Sequence, residues 1–294
     1  MKPTPRMRTC LWFNDQAEEA AKFYCSLFKN SKFGEVVRYP EKVAQHVKAK
    51  PGSVMTVTFE LEGHAILGLN GGPLFHHTPS LSYFVWCETE AEISELWKKL
   101  HEGGKARMGL DKYPWAERYG WTTDRFGVEW QLMLKQNPVK LAPAFLFVDE
   151  LFGKGEAAIS FYRSIFKESK LDFMAKDEKT NTVMHAVFSL NGQTFVLMEG
   201  QGQHGYTFST AFSIVAHCDT QAEIDHYWTK LTADGGRSSQ CGWLEDRYGV
   251  SWQIVPSQLD EWMREPKKAA QVMDVVMQMQ KLDLQKMQQA YEQG

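Results

Sequence analysis

The sequence predicts an α+β fold: two tandem copies, each of two βαβββ modules whose strands form a curved mixed β-sheet with helices on its outside. Three observations predict it. The chain repeats itself, its segments alternate between strand and helix periods in one order, and no predicted strand runs into a GxGxxG turn of the dinucleotide-binding kind.

The repeat is clearest late in each copy. WTTDRFGVEWQLM, starting at Trp121, matches WLEDRYGVSWQIV, starting at Trp243, with Trp, Asp, Arg, Gly, Val, Trp and Gln identical. Upstream, CETEAEISELWKKL from Cys87 matches CDTQAEIDHYWTKL from Cys218, and EEAAKFYCSLFKNSK from Glu18 matches EAAISFYRSIFKESK from Glu156. The order is kept while the offset shrinks along the chain, as loop insertions and deletions produce. The last change places extra residues of the first copy at 108–119. The copies are expected at 7–135 and 141–257, followed by a helical tail at 258–294.

Each element has its own signal. Ala20, Phe23, Tyr24, Leu27 and Phe28 fall on one face of a helix, as do Ala158, Phe161, Tyr162, Ile165 and Phe166. Asp15 with Glu18 has the spacing of a capping box for the first of these. Thr89 with Glu92, and Thr220 with Glu223, have it for the second helix of each copy, which ends at a Gly-Gly pair. Strands are expected at 11–13, 54–61, 64–70, 81–87 and 128–134. In the strand 54–61, Met55, Val57, Phe59 and Leu61 alternate with Thr56, Thr58 and Glu60. One face of this strand meets helices and the other is polar enough to line a cavity. In the tail, Asp283 is placed to cap a short helix with Leu284, Met287 and Tyr291 on one face.

Composition narrows the function classes. The 294 residues carry a formal net charge of −3, with 43% hydrophobic and 23% charged residues, an ordinary globular balance. Near-neutral charge without basic runs argues against nucleic-acid binding. No apolar run reaches the ~18 residues of a membrane span, and MKPTPRMRTCLWF lacks the apolar core of a secretory signal. Five cysteines without CxxC spacing read as reduced thiols. A cytoplasmic protein with no membrane partner is expected.

The blocks LWF…EEAAKFYCSLFKNSK, GSVMTVTFELEGHAILGLNGG, SYFVWCET and GWTTDRFGVEWQLM resemble the PhnB-like branch of the vicinal oxygen chelate superfamily. That branch is also labelled demethylubiquinone methyltransferase-like; the superfamily holds glyoxalases, bleomycin-resistance proteins and ring-cleaving dioxygenases. The resemblance implies tandem glyoxalase-like domains, each a cup-shaped half barrel. It further implies that two fused copies reproduce, as an intramolecular pseudo-dimer, the pairing its single-copy relatives make; a homodimer of whole chains stays open. The superfamily's metal site implies histidines on the first strand of each module and a glutamate on the last strand. The matching positions hold Arg8 or Thr9, Ala142 or Pro143, Ser80 and Ala211, while Gln131 and Gln253 replace the glutamate. A neutral amide is a weaker ligand than a carboxylate.

The remaining candidates are polar and aromatic. His185 aligns with Thr56, and Glu199 with Asn70; with Gln253 the pair His185 and Glu199 would make an improvised polar site. His64, His76 and His77 cluster in sequence without a carboxylate at fixed spacing. Gln131 and Gln253 are expected at the bases of two pockets, with Trp121 and Trp243 at the rims and Trp115 added by the insertion. Aromatic walls with a few amides suit a small apolar or aromatic molecule. The expected function is metal-free small-molecule binding, with no cofactor; a divalent metal is held open. The alternative is an enzyme of the same superfamily: a metal-dependent lyase, isomerase or dioxygenase, or the methyltransferase of the family label.

Overall fold

The computed structural model describes residues 5–294, which build two eight-stranded mixed sheets with helices packed outside the curved strands. In the first copy, one module runs β1 (Met7–Phe13), α1 (Ala17–Leu27), β2 (Ser31–Arg38), α2 (Glu41–Val47), β3 (Val54–Leu61) and β4 (His64–Asn70). The next runs β5 (Leu81–Cys87), α3 (Glu90–His101), β6 (Lys105–Tyr113), β7 (Ala116–Thr123) and β8 (Glu129–Leu134). The second copy opens with β9 (Leu141–Phe147), α4 (Gly155–Ile165), β10 (Lys170–Lys176), β11 (Val183–Leu190) and β12 (Gln193–Glu199). It closes with β13 (Phe212–Cys218), α5 (Gln221–Leu231), β14 (Arg237–Ser238), β15 (Trp243–Glu245) and β16 (Ser251–Pro256). The tail holds α6 (Leu259–Trp262), α7 (Pro266–Val276) and α8 (Leu284–Gln293).

The two modules of one copy do not share a sheet. Sheet 1 is ordered β14-β15-β16-β13-β1-β4-β3-β2, so it joins the first module of copy one to the second module of copy two. Sheet 2, β10-β11-β12-β9-β5-β8-β7-β6, joins the other two. The seams are the antiparallel pairs β1–β13 (Thr9 opposite Ile214) and β5–β9 (Tyr83 opposite Pro143). The fused copies thus exchange modules as two subunits would, an intramolecular pseudo-dimer.

Strand alternation sorts the side chains into a helix face and an opposite, cup side. The helix faces of both sheets meet in one core with α1, α3, α4 and α5, centred on Tyr24, Tyr83, Trp130, Phe145, Tyr162 and Trp252. At its middle the sheets touch directly, where Tyr83 Oη and Thr9 Oγ1 lie 2.6 Å apart and His64 Nε2 lies 2.9 Å from the same hydroxyl. Thr89 and Thr220 cap α3 and α5 as their spacing predicts, each accepting from the backbone N–H three residues on. The Asp15/Glu18 expectation fails: Gln16 is the N-cap of α1, without a side-chain cap bond. The first-turn amide of Ala17 donates instead to Asn70 Oδ1 at 2.8 Å. A tertiary partner at the end of β4 displaces the local box.

The residues added at 108–119 form a β6–β7 hairpin, whose counterpart in copy two shrinks to the short β14 and β15. The strands β2 and β10 and the helix α2 carry no clear period and were not expected. All five cysteines are free thiols. No helix among the described residues is long and apolar enough to cross a membrane.

Candidate binding site

Most of the repeated motif is structural. Asp124 Oδ2 accepts from Tyr24 Oη at 2.6 Å and from Trp130 Nε1 at 2.8 Å, while its Oδ1 accepts the amides of Phe126 and Val128. Asp246 repeats the set with Tyr162, Trp252, Tyr248 and Val250. Tyr24 lies on sheet 1's α1 and Asp124 in sheet 2's β7–β8 turn, so each aspartate staples the two sheets through the core. Burial pushes both carboxyls up to about 6, against the pull of the four donors. Arg125 and Arg247 lie over Phe23 and Phe161 at 4.3 Å. Gly127 and Gly249 take positive φ in the turns. The motif residues left to face the cups are the glutamines and the first tryptophans.

In the cup of sheet 2, Gln131 is buried, with Nε2 donating to Ser82 Oγ at 2.9 Å and Oε1 accepting from Tyr119 Oη at 2.5 Å. Beside it Glu129 is buried under a fork from Arg107 at 2.7–2.9 Å, with further bonds from Trp121 Nε1 and Thr123 Oγ1. Trp115, 59% exposed at the hairpin turn, stacks on Tyr113 at 5.1 Å. Across the sheet, the His185 ring meets Phe84 edge-on at 5.3 Å. Burial pulls its imidazole down to about 4, so it is neutral at physiological pH.

The cup of sheet 1 repeats the amide but not its surroundings. Gln253 Nε2 donates to Ser213 Oγ at 3.0 Å, as Gln131 does to Ser82. Burial pushes the adjacent Cys10 thiol up to about 11, so it stays protonated. Over this floor lies the tail: Trp262, Val272, Val276, Leu282 and Met287 pack on Cys10, Val215 and Val255. The part of the cup the tail leaves free is a cavity of about 710 Å³. Its walls are Trp12, Tyr39, Met55, Leu69, Phe75 and Trp243 from the body, with Met273 and Met277 from the tail. Ser238, Ser239, Gln240 and the Arg237–Glu245 ion pair make its polar side.

The two tryptophans are held by different means. Trp12 donates from Nε1 to the Gly72 carbonyl at 2.8 Å and packs edge-on against Phe75 at 5.0 Å and Trp243 at 6.2 Å. A Cβ on Gly71 would stand 2.1 Å from the Trp12 ring, so this glycine is what lets the indole lie flat there. Trp243 comes from β15, pinned by its Cα pairing with Gln253.

The nine candidates therefore divide among several places. Gln131, Trp121, Trp115 and His185 belong to sheet 2's cup side or its rim, while Trp243, Gln253 and Thr56 belong to sheet 1's, Thr56 opposite the cavity residue Leu69. Asn70 and Glu199 face the helices. Glu199 accepts the amides of Gly153 and Gly155 at the start of α4 and of Val183 on β11, the counterpart of Asn70 at α1. The improvised His185–Glu199–Gln253 site is corrected accordingly: Glu199 lies on the opposite face from His185, and Gln253 lies in the other sheet. Strand parity decides the first point and module exchange the second. Trp12, Tyr39, Phe75, Met273 and Met277 were missed, because only tertiary contact brings α2, the 71–75 loop and the tail together.

A zinc-type site takes three or four convergent His, Cys or carboxylate ligands. No group of three His, Cys, Asp or Glu side chains among the described residues makes such a set. At the glutamate position each cup offers an amide already bonded to a serine. His77, whose burial pulls it down to about 4, is wedged against Phe13 and Phe212 rather than joined to His64 or His76. At the superfamily's metal positions these residues do not supply its usual imidazole and carboxylate donors.

A family model described as 3-demethylubiquinone-9 3-methyltransferase matches residues 5–133 and again 139–255. Among solved structures, a PhnB protein of Bacillus cereus, described as a putative 3-demethylubiquinone-9 3-methyltransferase, is 38% identical over 44% of this chain and 98% of its own, with a TM-score of 0.40. Glyoxalase I from Zea mays is 13% identical over 89% of this chain and 95% of its own, with a TM-score of 0.57. A point mutant of the same maize enzyme reaches 0.60 at 12% identity over 87% of this chain and 95% of its own. That likeness is one of fold. The chain matches no curated protein.

Proposed function

The chain belongs to the 3-demethylubiquinone-9 3-methyltransferase family, in its PhnB-like, glyoxalase-fold setting, and from that premise we propose that it is a metal-free binding protein for a small, largely apolar aromatic molecule. The observation that carries this reading is the cavity of about 710 Å³ walled by Trp12, Trp243, Tyr39, Phe75 and three methionines. Its size lies within the usual range of small-molecule sites, and a few polar groups on one side suit orientation of a ring substituent. Tryptophan faces and polarizable thioethers favour a flat ring over a branched aliphatic.

N-phenyl-1-naphthylamine, a neutral fluorescent ring pair, tests the reading. We expect saturable binding at one site per chain, unchanged by EDTA, with Trp12→Ala and Trp243→Ala each raising Kd about tenfold, the equivalent of ~1.4 kcal/mol of lost contact. Absence of saturable binding, or binding only with added divalent metal, would overturn it. The family description favours a second reading, methyl transfer to a ring hydroxyl. Transfer of labelled methyl from S-adenosylmethionine to a hydroxylated ring by the purified protein would replace the first reading with this one.

A further inference from the structure

Part of sheet 1's cup is filled by the chain's own tail, and the filling is anchored. Arg8 on β1, 6% exposed, makes a two-pronged bond to Asp260 of α6 at 2.8 and 2.9 Å. Burial works against the Asp260 charge, but the Arg8 guanidinium outweighs it and holds the carboxyl below the usual range. Farther along the tail, the amides of Cys241 and Gly242 donate to the carbonyls of Met279 and Gln280. Gln221 bonds the backbone of both Leu282 and Leu284. Trp262 of α6 stacks on Tyr291 of α8 at 5.7 Å, which closes the tail on itself.

This tail is also a wall of the cavity. Met273 and Met277 line it, facing Met55, Val43 and Tyr39 across from α2. Cys241, which the tail backbone holds, lies in the same lining. A ligand in the cavity therefore touches the tail, while Arg8 and Asp260 lie outside the lining altogether.

We infer that the C-terminal helices are a working part of the binding site: they cover the Cys10, Val215 and Val255 side of the cup as an internal partner, and ligand binding and tail docking are one coupled equilibrium positioned by Arg8–Asp260. The inference rests on the proposed binding function and adds its regulation. Physically, a ligand that contacts the docked tail must stabilise docking by the same factor that docking strengthens its own binding. Loosening the anchor lowers the fraction of chains with a complete wall, and apparent affinity falls in proportion. Asp260 is a positioning residue here.

The test is hydrogen exchange on the full-length chain with and without N-phenyl-1-naphthylamine, beside the probe's Kd. The probe is expected to slow exchange across α6–α8. Asp260→Asn is expected to speed exchange there, leave both sheets protected and raise Kd about tenfold; Asp260→Glu, which keeps the charge, should recover to within about threefold. An Asp260→Asn chain whose tail amides exchange at nearly unprotected rates, so that the tail is mostly undocked, but whose Kd stays within about twofold would overturn the coupling and leave the binding function standing. Unchanged tail exchange in that variant would overturn the anchor. Wild-type chain that binds no probe would remove the binding function and this inference together. Should Asp260→Asn lose protection in both sheets, Met273→Ala, on the tail's cavity face, carries the test: a Kd raised about fivefold together with a smaller probe-induced slowing of exchange in α6–α8 supports the coupling, and probe binding that leaves tail exchange unchanged overturns it.

Discussion

Asp246→Ala is expected to cost about 4 kcal/mol, a drop of roughly 10 °C in the thermal midpoint for a chain of this size. The substitution strands four buried donors at once: the Tyr162 hydroxyl, the Trp252 indole N–H and the amides of Tyr248 and Val250. Asp246→Asn should cost less, about 2 kcal/mol, because its Oδ1 still accepts both turn amides while its Nδ2 faces the indole donor. Tyr162→Phe removes a single bond and should cost about 1 kcal/mol. Asp124 makes the same bonds with Tyr24 and Trp130, so Asp124→Ala should match within about 1 kcal/mol. Differential scanning calorimetry of the four variants checks the series. If Asp246→Ala lay within about 1 kcal/mol of wild type, the staple would not hold the sheets together.

Unfolding near pH 5 should take up roughly two protons, so that stability falls by about 2.7 kcal/mol per unit as pH drops through that region. Burial pulls the imidazoles of His64, His77 and His185 down to about 4 and that of His217 to about 3, from an ordinary 6.5. Their contribution is complete above 6.5 and is lost as pH falls toward the folded values, because the unfolded chain protonates first. Asp124 and Asp246 act in the opposite sense. Their carboxyls, raised from 3.8 to about 6, keep protons that unfolding releases, so their contribution is lost as pH rises through 6. Four groups outweigh two between pH 6.5 and about 4. Urea midpoints at pH 6.5, 5.5 and 4.5 measure the slope, and a flat or rising profile on acidification would show that these imidazoles are not held neutral. Asp246→Asn removes one opposing group, so its deficit against wild type should widen as pH falls from 7 toward 4.

The cups show how far a repeated sequence can diverge in use. Both copies keep the serine–glutamine pair and the aspartate staple. In sheet 2, Glu129 under the Arg107 fork and the β6–β7 aromatics fill the cup side. In sheet 1 the equivalent position is Ser251, a cavity residue, and the tail supplies the apolar filling. The cavity of about 710 Å³ lies where copy one's α2 and the tail flank the cup.

The sequence by itself determined the repeat, the order of its periodic helices and strands, and the faces of those strands. Those follow from local periodicity: Val128, Trp130 and Leu132 point to the core while Glu129, Gln131 and Met133 point to the cup, as alternation requires. Thr89, Thr220 and Asp283 cap the helices they precede because a cap is a contact across three residues. The tertiary structure alone decided which modules share a sheet, since β1–β13 and β5–β9 pairing leaves no local signature. It also decided that Asn70 and Glu199 cap helices from far along the chain, that His185 and Gln253 part company, and that tail residues such as Trp262, Val272 and Val276 pack into sheet 1's cup. Each of these depends on backbone or side-chain groups meeting across long sequence separations, where strand parity and packing, rather than spacing along the chain, choose the partner.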